Sequence, residues 1–354
     1  MTQRRNFGSD NVTPMAPEIL NALIEANREP VHSYGDDAYT QALSQRLCEV
    51  FETEVTVYPV TTGTAANALA LSVLAPPFGA IYCHETAHIV TDECGAPEFY
   101  TAGAKLIGLT GAQGKIRAAD VGSHVEFAHS MGVHHVVPSA LSLTQATEWG
   151  TVYTVGELAA ITAVAHEHGL PVHMDGARFA NAVAKLGVSP ADCTWRAGID
   201  VLSFGATKNG AMAAEAVVFF NKAHAREFES RRKRAGHLWS KMRFLSAQLL
   251  AYLKDDLWLH NARHANSLAA TLSSGLAQLP GARLAAPTDA NEVFIELPLQ
   301  LIERLEKDGF EFYHWPAPEG FTGTVIRLVT SFDMPAIAVT EFIQAAQQHA
   351  QQLA

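Results

Sequence analysis

This 354-residue chain is short of charge: Asp, Glu, Lys and Arg make up 17% of it, against roughly 25% in soluble domains. With 48% hydrophobic residues, such a chain is a poor fit to intrinsic disorder and buries an unusual share of itself, as association between copies would explain. Basic residues are scarcer than acidic ones. The 25 Lys and Arg face 36 Asp and Glu, a formal net charge of −11, which disfavours broad binding to nucleic acid or an anionic membrane. Cysteine is rare as well. Cys48, Cys83, Cys94 and Cys193 form no CxxC pair and no even spacing, so buried free thiols are expected in place of a disulfide framework or thiolate zinc site. Arg4 and Arg5 have no apolar core behind them, unlike a secretory signal, and a cytoplasmic location is the expectation. Residues 55–83 hold no charge at all, a length that would cross a bilayer. Thr61-Thr62-Gly63-Thr64, Asn67 and Pro76-Pro77 interrupt it, so it reads as a buried strand, a turn and a buried helix, and no membrane partner is expected.

At about 150 residues per domain, the length suggests two domains. Short β-branched runs alternate with alanine-rich helical stretches from about 54 to 220, the pattern of βαβ units around a largely parallel sheet. Strands are predicted at 55–60, 79–83, 105–109, 135–143, 171–175, 200–205 and 216–220, and helices at 64–74, 155–168 and 177–186. Several of these strands carry consecutive apolar residues, which implies cover on both faces. From 231 to 279 the chain reads as almost continuously helical, broken near Asp255-Asp256. A smaller α/β layer follows, with strands at 292–297, 311–315 and 325–330 and helices at 299–307 and 334–353. The expected organisation is a large domain over 1–250, with residues 1–20 contributing to the site, and a small C-terminal domain over 251–354.

His84-Glu85-Thr86-Ala87-His88 matches HExxH, in which two histidines one helical turn apart hold zinc. Thr91 stands where the metzincin glycine belongs, however, and no Glu or His occurs from 99 through 123 to complete the set. Three other pieces each lie at the C-terminal end of a predicted strand, where open α/β folds place ligands. Thr61-Thr62-Gly63-Thr64 opens a helix and suits a phosphate, although alone it is also an ordinary helix cap. Asp175-Gly176-Ala177-Arg178 puts an acid at a strand end. Lys208 stands alone among small residues. Together they match pyridoxal phosphate, which needs a lysine for covalent attachment, a carboxylate to keep its ring nitrogen protonated, and a helix start for its phosphate.

Over nearly its whole length the chain resembles the low-specificity L-threonine aldolases and related phenylserine aldolases, fold type I pyridoxal phosphate enzymes with the aspartate aminotransferase fold. The resemblance is carried by Ser9-Asp10-Asn11, Tyr34-Gly35-Asp36-Asp37, Thr62-Gly63-Thr64 with Asn67, Ala87-His88 with Glu93-Cys94-Gly95-Ala96, His173 through Arg178, Lys208, and Arg327-Leu328-Val329-Thr330. It implies that Lys208 binds the cofactor, Asp175 partners its ring nitrogen and His88 stacks on the ring. Gly63 and Thr64 would hold the phosphate with help from a basic residue such as Lys233, Arg234 or Arg243, from the same or a neighbouring subunit. Ser9, Arg178 and Arg327 would grip the substrate carboxylate. Where many members have Thr-His, this chain has Thr144-Gln145. A neutral amide orients a hydroxyl but takes no proton from it, so Gln145 is expected beside the substrate and His88, or a water it holds, as the base.

The resulting expectation is an aldehyde-lyase that cleaves L-β-hydroxy-α-amino acids, among them L-threonine, L-allo-threonine and phenylserine, to glycine and an aldehyde. It would be a homotetramer built as a dimer of dimers, with the site at the dimer interface. Three alternatives are a β-eliminating lyase on the same cofactor, a zinc hydrolase using His84, Glu85 and His88, and a cofactor-free scaffold.

Overall fold

The uncharged stretch lies at the centre of the larger of two sheet layers. In the computed structural model, which describes residues 5–353, strand β1 (Thr56–Val60) leads into helix Gly63–Leu74 and then strand β2 (Gly79–His84). Thr62 caps the helix, its side chain accepting from the Ala65 N–H. Nearly every residue from Ala65 to Leu74 is buried. A helix apolar on all faces is stable only inside a core, which explains the missing charge.

The sheet continues with β3 (Lys105–Leu109), β4 (Val137–Thr144), β5 (Val172–Gly176), β6 (Val201–Gly205) and β7 (Glu215–Phe219), in the order β1-β7-β6-β5-β4-β2-β3. Only β7 runs against the others. The C-terminal ends of β1, β2, β4, β5 and β6 therefore share one edge, and β7 begins there with Glu215. Strands β2, β5, β6 and β7 are buried throughout, as the apolar runs implied.

Two glycines allow the strand ends to meet. A Cβ on Gly205 would stand 2.7 Å from both Cα and O of Ala177, and one on Gly176 would stand 2.7 Å from Leu202 Cδ1 and Ser203 O. Neither site admits a side chain, and that close approach brings Asp175 and the turn carrying Lys208 side by side. Beneath them His173 is fully buried, its Nδ1 2.9 Å from Ser142 Oγ and its Nε2 2.9 Å from Ser203 Oγ. Burial pushes this imidazole down to about 4, so it joins β4, β5 and β6 as a neutral group.

The smaller layer is an antiparallel sheet ordered β10-β11-β9-β8, from β8 (Arg283–Leu284), β9 (Glu292–Leu297), β10 (Tyr313–Trp315) and β11 (Thr324–Val329). Helix Leu257–Leu276 joins both cores: Trp258 and Ala262 pack in the large one, Leu268 and Leu272 in the small one. The N-terminal segment starts on the small layer, where the Phe7 N–H donates to Glu311 O and the Val329 N–H donates to Phe7 O. It then crosses to the edge of the large sheet.

The helical stretch expected over 231–279 is interrupted twice. Helices Phe228–Arg234, Arg243–Leu253 and Leu257–Leu276 are separated at Asp255 and Asp256, both at positive φ, and also at 235–242. Gly236 at φ 82° turns that second segment toward the sheet edge, bringing His237 Nδ1 to 3.2 Å from Thr61 Oγ1. The two-residue β8 had no sequence signal. Among the described residues, no helix is long and apolar enough to cross a membrane.

Candidate active site

A cleft of about 400 Å³ opens at the shared strand edge, lined by Thr62, Gly63 and Thr64, by His88 and Glu93, and by Asp175, Arg178 and Lys208. The helix Gly63–Leu74 points its N-terminus here, and a Cβ on Gly63 would meet nothing within 4 Å. Positive helix ends of this kind attract anions. Asp175 is buried at the end of β5. Its Oδ1 accepts the Ala177 N–H at 3.0 Å and its Oδ2 accepts Asn67 Nδ2–H at 2.7 Å. The same Asn67 amide donates to Glu93 Oε1 at 2.9 Å, and His88 Nδ1 lies 2.9 Å from that oxygen. One chain of contacts thus runs His88–Glu93–Asn67–Asp175. Burial raises the Glu93 carboxyl, and its hydrogen bond to Glu93 raises His88. Among the described residues the Lys208 ammonium forms no hydrogen bond or ion pair.

Behind Arg178, which lines the cleft, lies a buried cluster of four charges whose other members do not line it. Arg178 grips Asp10 with Nε and Nη2, at 2.8 and 3.0 Å, and its Nη1 is 3.3 Å from Glu292 Oε2. Arg327 stands behind Glu292 at 4.0 Å and donates to Gly8 O at 3.1 Å. Burial opposes the charge on Arg178, yet Asp10 and Glu292 outweigh it and its pKa is raised. Burial likewise works against the Asp10 carboxylate, but Arg178 and Lys208 hold it below the usual range. At Glu292 burial prevails over both arginines and the carboxyl is raised. Ser9 caps the turn Asp10–Val12 by accepting the Asn11 N–H, and Asn11 reaches the cleft.

Gln145 does not face the cleft. It is fully buried, with its Nε2 donating to Tyr153 O and its Oε1 accepting the Tyr153 N–H, both at 2.9 Å. The amide satisfies both backbone groups of Tyr153, so the place expected for it falls to Ala146, Thr147 and Glu148. Oε1 of Glu148 accepts the His88 N–H and the Thr144 hydroxyl, each at 2.8 Å. Burial pushes the Glu148 carboxyl up to about 7. Glu215, accepting the Ala206 N–H at 2.9 Å, is also pushed up to about 7 by burial.

Neither Arg234 nor Arg243 lines the cleft of its own subunit. Arg234 is exposed at the end of Phe228–Arg234, and Arg243 donates to Ala26 O at 3.0 Å. Lys233 lies over the ring of Tyr34, and the buried cation of that helix is Arg232, bonded to Pro59 O. The HExxH match does not form a zinc helix. His84 ends β2 and is held by Thr86 Oγ1 and Gly111 O, whereas His88 begins a separate helix, His88–Thr91. Among the described residues, no three His, Cys, Asp or Glu side chains gather to hold a metal ion.

The donor set fits pyridoxal phosphate: a lysine amine without a partner, an anchored carboxylate, an open helix start and an imidazole on one cleft. A family profile described as beta-eliminating lyase matches residues 6–299. The low specificity L-threonine aldolase of a Pseudomonas species is 43% identical over 339 residues, 96% of each chain. Its counterpart in Pseudomonas aeruginosa is 46% identical over 309 residues, 87% of this chain and 89% of that one. The chain belongs to the L-threonine aldolases. A solved threonine aldolase from Leishmania major matches with a TM-score of 0.91 at 31% identity, covering 98% of this chain and 99% of that one, so the fold is the fold type I architecture expected. In this aldolase the sequence pointed to Lys208, Asp175, His88, Gly63, Thr64 and Arg178, which the structure brings into one cleft. It passed over Glu148, Glu215 and Glu292. Glu215 had a signal, since it is an acid opening an otherwise apolar buried strand.

Proposed function

We propose that this aldolase cleaves L-threonine, L-allo-threonine and phenylserine to glycine and the corresponding aldehyde, with pyridoxal phosphate carried on Lys208. The bound cofactor supplies a sink for the electron pair left on Cα when the Cα–Cβ bond breaks. Asp175, fixed by Asn67 and the Ala177 N–H, offers its carboxylate to the ring nitrogen. Gly63 and Thr64 would hold the phosphate, and His88, tethered by Glu93, would lie against the ring. Ser9, Arg178 and Arg327 receive the substrate carboxylate. The planar guanidinium of Arg327 suits that task because it binds carboxylates in two-pronged fashion, whereas Arg178 has its fork on Asp10 and would exchange that partner for the substrate; fixing the carboxylate orients the bond to be broken. The observation that supports this reading most directly is the juxtaposition of Lys208, Asp175 and the helix start at Gly63 in one cleft.

Arg234 or Arg243 of a second copy completes the phosphate site in this reading, which makes the enzyme a tetramer of two dimers with sites at the dimer interface. The low charged fraction supports it, as do the exposed Leu20 and Ile24 on helix Pro17–Ala26 and a groove of about 1110 Å³ between that helix, Ala38–Phe51 and Arg243–Leu253. Light scattering of the purified protein tests the assembly. The division into 1–250 and 251–354, and a cytoplasmic location, belong to the same reading. Product analysis tests the reaction: glycine plus an aldehyde from L-threonine supports it, whereas ammonia plus an oxo acid indicates β-elimination.

A further inference from the structure

We propose that Glu148 is the group that takes the proton from the substrate's β-hydroxyl. This rests on the aldol reading above and adds a catalytic residue to it. In the retro-aldol step the hydroxyl O–H bond breaks and its proton passes to Glu148 Oε2. The O–H electron pair becomes the second bond of the aldehyde carbonyl, and the Cα–Cβ pair stays on Cα.

Among the groups on the side of the cleft formed by His88 and the loop after β4, the choice narrows to Glu148. Gln145 is turned away and bonded to Tyr153. The Thr144 hydroxyl donates to Glu148 and is not an acceptor there. His88 has its Nδ1 committed to Glu93, a contact that raises its pKa and so reduces the fraction left unprotonated to accept a proton near neutrality. Two buried carboxylate oxygens at the cleft lack a hydrogen-bond partner, Oε2 of Glu93 and Oε2 of Glu148. The Glu93 carboxylate is engaged through its other oxygen by His88 and Asn67, and its side chain is wholly buried. Glu148 lies on the loop after β4 and lines the cleft, and its carboxylate is held through Oε1 alone; Oε2 is shielded from water and unsatisfied, which leaves it as the acceptor for a hydroxyl bound there.

The titratable groups facing it are Cys83 from β2, His88, Asp175 from β5 and Tyr153. Burial pushes the Cys83 thiol up to about 12 and raises the Tyr153 phenol further, so both stay neutral and neither shares the task. A carboxyl that ionises near neutrality is matched to accepting and returning a proton at that pH.

The test uses holoenzyme carrying Glu148→Gln, whose amide oxygen still accepts from the His88 N–H. Cleavage of L-threonine is measured against pH, alongside exchange of the α-hydrogen of glycine with deuterated water followed by NMR. That exchange needs the loaded site but no β-hydroxyl. The expected result is a kcat at least about 100-fold lower, the lower end of general acid–base contributions, with KM changed by only a few-fold. The rise of wild-type kcat through about pH 7 disappears, glycine exchange stays within about threefold of wild type, and Glu148→Asp restores part of the cleavage. Cleavage within threefold of wild type overturns the proposal. So does a parallel loss of cleavage and exchange, which would reduce Glu148 to a support for His88. If wild type itself releases ammonia and an oxo acid, the aldol reading fails; if wild type releases glycine while Glu148→Gln is unimpaired, only the role of Glu148 fails.

Discussion

Asn67 is the joint on which the ring-nitrogen partner depends, and Asn67→Leu tests it. The side chain is buried, and its single NH₂ donates at 2.7 Å to Asp175 and at 2.9 Å to Glu93. Leucine has the same branched outline and is somewhat bulkier, so the change removes the two donors without leaving a cavity. A hydrogen bond to a charged acceptor contributes about 1.5–3 kcal/mol. Losing the one to Asp175 removes that much of the restraint that holds its carboxylate in place for the ring nitrogen. At 1.36 kcal/mol per tenfold, cofactor affinity should fall by roughly 10- to 150-fold. The apoprotein should lose stability too, by about 3–6 kcal/mol if both bonds count in full. Titration of apoprotein with pyridoxal phosphate followed by absorbance measures the first effect, and urea unfolding the second. Should Asn67→Leu be too unstable to purify, Asn67→Asp keeps the shape, replaces the donor with a third carboxylate, and should weaken the cofactor at least as much. An Asn67→Leu protein that binds cofactor within twofold of wild type would refute the reasoning.

Three further outcomes follow from the geometry. Glu215 keeps its proton up to about pH 7 when folded, whereas the unfolded chain releases it near 4.5. Apoprotein stability should therefore fall as pH rises from 4.5 to 7, by up to about 3 kcal/mol from this group. Glu215→Gln should flatten that slope in urea unfolding measured across the range. Gly205→Ala drives a Cβ into the Ala177 backbone, and overpacking of this kind costs about 1–3 kcal/mol; it should lower Tm and weaken cofactor binding together, because the same contact aligns Asp175 with Lys208. Arg178→Lys gives up the two-pronged grip on Asp10 and strands a buried carboxylate. A loss of about 3–5 kcal/mol in stability is expected, and steady-state kinetics should show kcat/KM for L-threonine at least about 100-fold lower.

Residues whose role follows from one local pattern were legible in the sequence. The uncharged run at 55–83 gave a buried helix because a helix without polar residues has nowhere else to go. Asp175 and Lys208 were found because each ends or follows an apolar strand. Gln145 and Glu148 were not, since they sit four residues or fewer from the same strand end and only the hydrogen bonds to Tyr153 decide which of them turns inward. Glu215 reaches the cleft because β7 alone is reversed, a fact of sheet order that no local run encodes. The same limit applies to the basic stretch at 231–243. Its helical period was visible, but the left-handed turn at Gly236 that separates its arginines was read as helix.

The most direct test of the central claim is to reduce the purified, cofactor-loaded protein with borohydride and map the modified peptide by mass spectrometry. The expected result is a single pyridoxyl adduct on Lys208, absent from Lys208→Ala. An adduct confined to another lysine, or none after incubation with pyridoxal phosphate, would contradict it.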